Sequence, residues 1–305
     1  MAARFRSGGE VAMTFRSRIP VLPVALAVLA LAPAATAGEA DSASPDERRW
    51  LMSLGAMAVD FDTVMRLDSE AVPGEGSEIR FEDDLGLDPE QTNVRFEGTW
   101  RFGKRHRLDF DWLRFSRGNE YVIEEDITWG DVVFAADGEV KTRFRSNIVG
   151  AYYGWSFVRK PRFESGLTAG LSTHIQSTRV EGEGTVYIDG EPQAEEAVSE
   201  SESITAPIPV FGLYASGRLG ENWYLSGSAR YFAITIGEHE GSFRDFIAEI
   251  DWYPWEKFGF GAGYNWNRME YKHETDVDTI DVEYDYSGVT VYALFAWGKR
   301  VPFPG

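Results

Sequence analysis

The chain has 305 residues, with 49 acidic against 30 basic side chains and a formal net charge of −19 at pH 7. This balance argues against binding to nucleic acid and against binding to anionic lipid through net charge. Cysteine is absent, which excludes disulfides and thiol catalysis.

The N-terminus predicts a secretory signal peptide. Four arginines precede the apolar run IPVLPVALAVLALAPAA, which is too short and too proline-broken to span a bilayer, and Ala35 and Ala37 form an A-x-A cleavage site. We assign 1–37 to the leader, 38–48 to a periplasmic segment, 49–297 to a barrel and 298–305 to a C-terminal tail. Loss of the leader removes four arginines and Glu10, so the formal charge falls from −19 to −22.

The mature chain alternates with a period of two residues. In TNVRFEGTWRFG the apolar side chains Val94, Phe96 and Trp100 share one face, and Arg95 and Glu97 lie on the other. The same pattern returns in 163–176, 258–267 and 288–297, where the second face is rich in small residues. A two-residue period predicts strands.

The composition of the two faces favours a transmembrane β-barrel over a secreted β-sandwich. One face is continuously apolar and ends in aromatic residues, whereas the other carries Gly, Ser, Thr and Asn. This is the pattern of a barrel with lipid outside and polar groups inside. The sequence therefore predicts an all-β fold, an antiparallel up-and-down transmembrane β-barrel in the outer membrane of a Gram-negative bacterium.

Short and long connections alternate along the chain. Tight turns fall near 103–106, 159–162, 220–222 and 254–257, and long acidic loops fall between them, which matches the periplasmic turns and extracellular loops of bacterial barrels. Ten strands follow, with eight as the alternative. They are predicted at 49–61, 92–102, 106–117, 142–158, 163–179, 204–218, 223–237, 242–253, 258–271 and 284–297.

Two predicted strands are irregular. In DFDWLRF the alternation of polar and apolar residues is lost after Trp112, which predicts a β-bulge. Pro207 and Pro209 cannot donate backbone hydrogen bonds, so they weaken the ladder of the sixth strand.

The segment FEDDLGLD followed by VRFEGTWRFGKRHRLDFDWLRFSRG resembles a group of poorly characterised proteobacterial outer-membrane β-barrel proteins. The likeness covers most of the mature chain. It implies the fold and the location rather than an activity.

Inward positions of the predicted strands carry both signs of charge. A narrow barrel fills its interior with side chains, and buried charges need partners. We expect a closed lumen held by salt bridges, and the alternative is a narrow, porin-like pore for ions or small solutes. The predicted lumen network is Arg95, Glu97, Arg101, Asp109, Asp111, Arg230, Asp245, Glu249 and Asp251.

The segment RFEDDLGLD raises the question of a metal site. Its acids are consecutive, so the spacing of a calcium-binding EF-hand loop is absent. We expect an acidic turn in which Gly86 reverses the backbone and Leu85 and Leu87 enter the barrel mouth. The alternative is a weak divalent-cation or lipopolysaccharide-bridging site for Ca²⁺ or Mg²⁺, with Asp83, Asp84 and Asp88 as ligands.

Catalysis is the third hypothesis. Omptin proteases are ten-stranded barrels that activate water with Asp/Asp and Asp/His pairs at the rim, and lipid A deacylases use Ser and His on the outer face. The candidates are Asp83, Asp84, His239, Glu240, His273 and Glu274 at predicted rims, and His174, which is predicted to face inward. We expect no enzyme, no firmly held cofactor and a monomer that contacts membrane lipid, lipopolysaccharide or an extracellular partner.

Overall fold

The computed structural model describes residues 48–67, 77–129, 132–188, 191–274 and 279–300. The predicted leader, the segment before residue 48 and the end of the tail lie outside the described residues. The described residues contain no helix long and apolar enough to cross a membrane.

The described chain consists of thirteen strands in sequence order. They are β1 (Arg48–Leu67), β2 (Glu78–Arg80), β3 (Glu90–Phe102), β4 (His106–Val122), β5 (Ile127–Trp129), β6 (Val132–Phe134), β7 (Glu139–Lys160), β8 (Phe163–Ile188), β9 (Glu191–Arg218), β10 (Trp223–Ile236), β11 (His239–Trp252), β12 (Phe258–Glu274) and β13 (Thr279–Arg300).

Ten long strands close into a ring. Each pairs antiparallel with its neighbours in chain order, from β1 through β3, β4, β7 and β8 to β13. β13 pairs with β1 from Ile280 opposite Leu67 to Arg300 opposite Arg48, so the sheet has no free edge there. The predicted fold class, an antiparallel up-and-down barrel of ten strands, is confirmed. The three-residue strands β2, β5 and β6 belong to the loops at one end.

The two faces of the sheet divide as the alternation predicts. Arg95, Glu97 and Arg101 point into the barrel, and Val94 and Trp100 point out. The outer face carries a band of solvent-exposed apolar side chains that passes around the ring. Its members include Leu54, Val94, Trp112, Val149, Tyr153, Trp155, Leu167, Leu171, Ile175, Phe211, Leu213, Trp223, Ile250, Trp252, Phe260, Val289, Val291, Phe295 and Trp297. Exposed apolar surface of this extent is the surface of a protein that lies in lipid.

The predicted bulge after Trp112 is wrong. β4 pairs with both β3 and β7 without a shift in register, and Leu113 and Phe115 point inward while Arg114 points outward. The two-residue period therefore continues. What changes at Trp112 is the chemistry of the interior, which is polar below this level and apolar above it.

Pro207 and Pro209 pair with β8, opposite Thr173 and Leu171. β9 pairs with β10 only from Phe211 to Arg218, so both prolines lie beyond the end of that second ladder. The strand is therefore paired on one side only at these positions, which tolerates residues that cannot donate. Above Phe211 the wall between β9 and β10 is not hydrogen bonded.

Most strands extend further than predicted, toward the end of the barrel that carries the long loops. We call this the long-loop end and the other the short-turn end. β8 and β9 are the longest strands, with 26 and 28 residues, whereas 163–179 and 204–218 were expected. Much of the predicted third acidic loop is therefore a β-hairpin that projects beyond the apolar band.

The apolar band predicts a depth-dependent penalty for charge. Leu171 is 44% exposed on the outer face near the middle of the band. We expect Leu171→Arg to reduce the free energy of unfolding by about 2 to 4 kcal/mol, as for arginine at the bilayer midplane. Glu183→Arg, on the same face of β8 but well above the band, should have little effect. Urea unfolding in phosphatidylcholine vesicles, followed by tryptophan fluorescence, measures both. Equal losses would contradict the assignment of the band to lipid.

Candidate functional site

The candidate site is the barrel lumen together with its mouth at the long-loop end. Near the short-turn end the lumen contains a buried ion pair. Arg101 donates to both carboxylate oxygens of Glu164, at 2.9 and 2.8 Å, and the Ser156 hydroxyl donates to the same carboxylate at 2.5 Å. Arg101 and Glu164 are only 4% and 7% exposed. A carboxylate this deeply buried needs several donors, and it has them here.

Arg107 forms the next contact above this pair. Its Nε donates to the carboxylate of Asp109 at 2.8 and 2.9 Å, and its guanidinium lies 4.2 Å from the centre of the Tyr214 ring. Thr99 donates a further hydrogen bond to Asp109 at 2.7 Å. The position of Arg107 between a carboxylate and a ring face neutralises a charge that would otherwise be unpaired in the lumen.

Several acids contact one another in the middle of the lumen. Arg95 donates to Glu97 at 2.6 Å, and the carboxyl group of Glu249 contacts that of Glu97. Tyr292 donates to Asp251 at 2.7 Å. The Ser226 hydroxyl donates to the Glu249 carboxyl group at 3.3 Å.

A second polar cluster contains Arg230, Tyr152, Asp111 and Asp245. Arg230 lies 3.9 Å above the Tyr152 ring and donates to Asp245 at 3.1 Å, while the Tyr152 hydroxyl donates to Asp111 at 3.0 Å. Asn267 donates to the other oxygen of Asp245 at 3.4 Å. All nine residues of the predicted lumen network thus point inward, and each has a partner or a charged neighbour.

Glycines beside the tyrosines make this packing fit. A Cβ on Gly150 would lie 2.2 Å from both the Tyr152 hydroxyl and the Asp111 carboxylate. A Cβ on Gly261 would lie 2.2 Å from the Tyr292 ring. The aromatic rings therefore lie flat across neighbouring strands, where only a hydrogen atom leaves room.

Above the polar clusters the lumen is filled with apolar side chains. Phe61, Phe115, Phe144 and Tyr284 contact one another, with ring centres 4.8 to 6.2 Å apart. Each is at most 3% exposed. The Arg117 guanidinium lies against two of these rings, 4.4 Å from the centre of Phe61 and 5.3 Å from that of Phe144.

The mouth is covered by loop residues that fold inward. Phe81, Leu85 and Leu87 are at most 1% exposed and join the same apolar cluster. The loop between β4 and β7 contributes the buried side chains of Trp129 and Phe134 beside them. We call the apolar residues of these two loops the mouth plug, which consists of Ile79, Phe81, Leu85, Leu87, Ile123, Ile127, Trp129, Val132 and Phe134.

One buried ion pair fixes the plug to the wall. Arg117 of β4 forms a salt bridge with Glu82 and donates to the Thr63 hydroxyl at 2.8 Å. Glu82 also accepts the Thr63 backbone N–H at 2.9 Å, and the Arg117 guanidinium lies 4.4 Å from the Phe61 ring centre. Arg117 and Glu82 were not singled out as partners, because 35 residues separate them and only the folded loop brings them together.

The acidic segment forms a tight turn around Gly86. Gly86 has φ of +59°, which favours glycine, and its Cα faces the Tyr121 ring. The Asp84 carboxylate accepts the Arg80 backbone N–H at 2.7 Å, and Asp88 accepts that of Glu90 at 2.9 Å. Within the described residues no three acids or histidines are close enough to hold a metal ion. The cation hypothesis for Asp83, Asp84 and Asp88 stays a prediction.

A small internal cavity lies between the polar and apolar layers of the described residues. Its lining includes Arg95, Asp111, Arg230, Asn265 and Asn267, and its size suits a water molecule rather than a solute. The side-chain oxygens of both asparagines are buried there without a protein donor. Polar surroundings of this kind favour an ordered water.

The histidine candidates for catalysis lie in two different environments. His174 is 1% exposed inside the lumen, 3.2 Å from the Ser172 hydroxyl and edge-on to Phe243. It is therefore not on the outer face, where a deacylase needs its histidine. His239 and His273 occupy opposite positions on β11 and β12 at the long-loop end.

Sequence reasoning missed several lumen residues. Glu164 and Arg107 lie on inward faces that the alternation had already defined, so their parity could have identified them. Tyr152 and Tyr292 were missed for a different reason. The sequence around a tyrosine in the middle of a strand does not show what its hydroxyl bonds to. Their role depends on acids of distant strands.

No protein-family model and no curated protein matches the chain. Among solved structures, the outer membrane protease OmpT from Escherichia coli superposes with a TM-score of 0.53 at 13% identity, over 85% of this chain and 99% of that chain. The translocator domain of autotransporter NalP from Neisseria meningitidis gives 0.40 at 10% identity, over 91% and 95%. The Pseudomonas putida toluene transporter TodX gives 0.35 at 8% identity, over 82% and 91%.

The fold is that of an outer-membrane β-barrel, as in the structure of OmpT. At these identities the likeness shows the fold alone. The resemblance drawn from FEDDLGLD to one group within this class stays a prediction.

The buried Arg101–Glu164 pair predicts a specific double-mutant pattern. We expect Glu164→Ala to reduce the free energy of unfolding by about 3 to 5 kcal/mol, because it leaves the buried Arg101 guanidinium without its carboxylate. Arg101→Met/Glu164→Leu should recover part of that loss, since it removes the Arg101 charge together with its carboxylate and leaves only the longer contact of Arg159, at 3.9 Å from Glu164, unreplaced. Urea unfolding in vesicles measures both. The control is Glu120→Ala, which removes the exposed partner of Lys141 and should change little. A double variant no more stable than Glu164→Ala would count against this account.

Proposed function

We propose that this protein is an integral barrel of the outer membrane of a Gram-negative bacterium, exported through a cleaved signal peptide, which neither conducts solutes nor catalyses a reaction. Its loops at the long-loop end face the extracellular side, where they contact envelope lipid, cations or a partner. The observation that carries the proposal is the continuous filling of the lumen, from the Arg101–Glu164 pair to the mouth plug.

The filling of the lumen argues against a pore in three successive layers. Ion pairs and tyrosines fill the lower half, rings such as Phe115 and Phe144 fill the upper half, and the plug residues Phe81 and Leu87 cover the mouth. A solute would have to displace all three. Separating the buried pairs alone costs several kcal/mol for each charge left unpaired.

The arrangement of the rim acids argues against an enzyme. Asp84 and Glu82 of the acidic turn are held by a backbone N–H and by Arg117, so both stabilise the turn. A general base needs a free carboxylate or imidazole within reach of its water or nucleophile. The omptin likeness extends to the fold, and fold alone carries no activity.

The β8–β9 hairpin supports a role in contacts outside the membrane. At about 3.3 Å per residue and a tilt near 40°, the 26 residues of β8 rise roughly 65 Å, against an apolar band of about 25 Å. Much of the hairpin therefore stands in solvent. Its sequence EGEGTVYIDGEPQAEEAVSESES carries many acids, which suit cations or a basic partner.

Conductance tests the closed lumen. We expect the purified protein to insert into planar bilayers without conductance steps in molar KCl, because all three layers block the lumen. A trimeric porin in the same bilayer is the positive control, and heat-modifiable migration verifies that the sample is folded. Reproducible unitary steps from the folded protein would favour the narrow pore instead.

Hydrolysis assays test the absence of catalysis. We expect no cleavage of peptide substrates or of lipid A acyl chains above a heat-denatured sample. Asp83→Ala and His239→Ala are the informative variants, because both residues are catalytic candidates at the predicted rim. Cleavage by the wild type that either variant abolishes would establish a rim hydrolase.

A further inference from the structure

Four arginines share one outward-facing area near the long-loop end. They are Arg114 of β4, Arg143 and Arg145 of β7, and Arg179 of β8, and all four side chains are exposed. We call them the arginine patch. The chain has 49 acids and 30 bases, yet no acid lies directly opposite any of the four on a neighbouring strand.

Strand register brings the four side chains together. Arg143 is directly opposite Arg179, and Arg145 lies between Ser116 and Ser177. Arg114 is opposite Asn147, one outward position below Arg145. Directly opposed Cβ atoms are about 5 Å apart and diagonal ones about 7 to 8 Å. Arg143 and Arg179 can therefore share one anionic group, and Arg145 and Arg114 can share another beside it.

The patch lacks neutralising partners within the described residues. Arg114, Arg143 and Arg145 make no ion pair or side-chain hydrogen bond there, and Arg179 has only Glu181 at 3.6 Å. The neighbouring Lys141 is engaged by Glu120 at 2.6 Å, which lowers the pKa of that carboxyl. Like charges directly opposite one another destabilise a sheet. A bound anion would relieve this repulsion.

Outward-facing arginines on the opposite wall of the barrel, unlike those of the patch, are paired with acids. On β12, outward-facing Arg268 bonds to Glu270, Glu283 and Asp285. Arg244 beside it lies 3.7 Å from Glu270. The net negative charge is thus distributed unevenly, and one wall of the barrel presents uncompensated positive charge.

The patch begins where the apolar band ends. The outward residues of β7 run from Phe157 through Trp155, Tyr153 and Val149 to Arg145. The twelve positions from Phe157 to Arg145 rise about 31 Å at the usual strand rise and tilt, and the hydrocarbon band is about 25 Å tall. Trp112 and Val149 lie immediately below, so acyl chains against them would bring a headgroup to the arginines.

We infer that the arginine patch binds the phosphate groups of an acylated glycolipid in the outer leaflet, with the acyl chains against Trp112 and Val149. Guanidinium groups match phosphate geometry with paired N–H donors. This inference rests on the proposed outer-membrane location. It does not conflict with the net negative charge of the chain. Repulsion between the phosphates and acids more than about 8 to 10 Å away is largely screened by salt.

The test compares the affinity of three probes for the folded protein in detergent, by native mass spectrometry. The probes are bisphosphorylated lipid A, the same lipid without phosphates, and inorganic phosphate. We expect the wild type to bind the bisphosphorylated lipid at least tenfold more tightly than the dephosphorylated one, with the difference reduced by salt. Millimolar inorganic phosphate should not displace it, because free phosphate lacks the acyl contacts.

The informative variant is Arg114→Gln/Arg143→Gln/Arg145→Gln, which should lose the preference for phosphorylated lipid. The charge-matched control is Lys104→Gln/Lys160→Gln/Arg162→Gln at the short-turn end, which should keep it. Equal preference for phosphorylated lipid in the wild type and the patch variant would overturn the inference. Displacement of the lipid by inorganic phosphate would show that the patch binds free phosphate rather than a lipid headgroup. Heat-modifiable migration of each sample tests the barrel itself, so failure of the site is distinguishable from failure of the proposed function.

Discussion

Closure of the ring between β1 and β13 fixes the width of the interior, and the rest of the structure depends on that width. A barrel of ten tilted strands leaves room for side chains and little else. Every inward charge is therefore buried among neighbours and requires a partner within hydrogen-bonding reach. This constraint accounts for the Arg101–Glu164 pair, for the stacking of Arg230 on Tyr152 and for the glycines that accommodate the rings.

The division of the lumen into a polar and an apolar half follows from what each half must contact. Near the short-turn end the inward residues face only one another, so paired charges and tyrosines can satisfy them. Toward the mouth they meet the inward-folded loops, whose Phe81, Leu85 and Leu87 need an apolar surface. Arg117 and Glu82 are the exception, and their pairing fixes the loop in place.

The strand pattern was predictable from the sequence, because the face on which a strand residue lies depends only on its position in the local two-residue alternation. The faces of Val94 and Arg95 follow from alternation alone. The turn at Gly86 follows from the freedom of glycine to adopt a positive φ. The prediction of a bulge after Trp112 was wrong. Leu113 and Phe115 are inward and apolar, so the inward face changes from polar to apolar there, and in the sequence this looks like a shift of the strand by one residue. The Arg117–Glu82 pair could not be predicted, since it depends on how a long loop returns to the mouth.

The outer surface differs from the lumen in what compensates its charge. Inside, the guanidinium groups of Arg95, Arg101 and Arg230 are paired with carboxylates of the chain itself. Outside, above the apolar band, the membrane itself can supply the counter-charge, so a sheet can carry Arg143 opposite Arg179 without an acid between them. On the opposite wall the charge of outward-facing Arg268 is neutralised by acids of the chain itself, Glu270 and Asp285. The same residue type therefore stabilises the core on one face and remains available to lipid on the other.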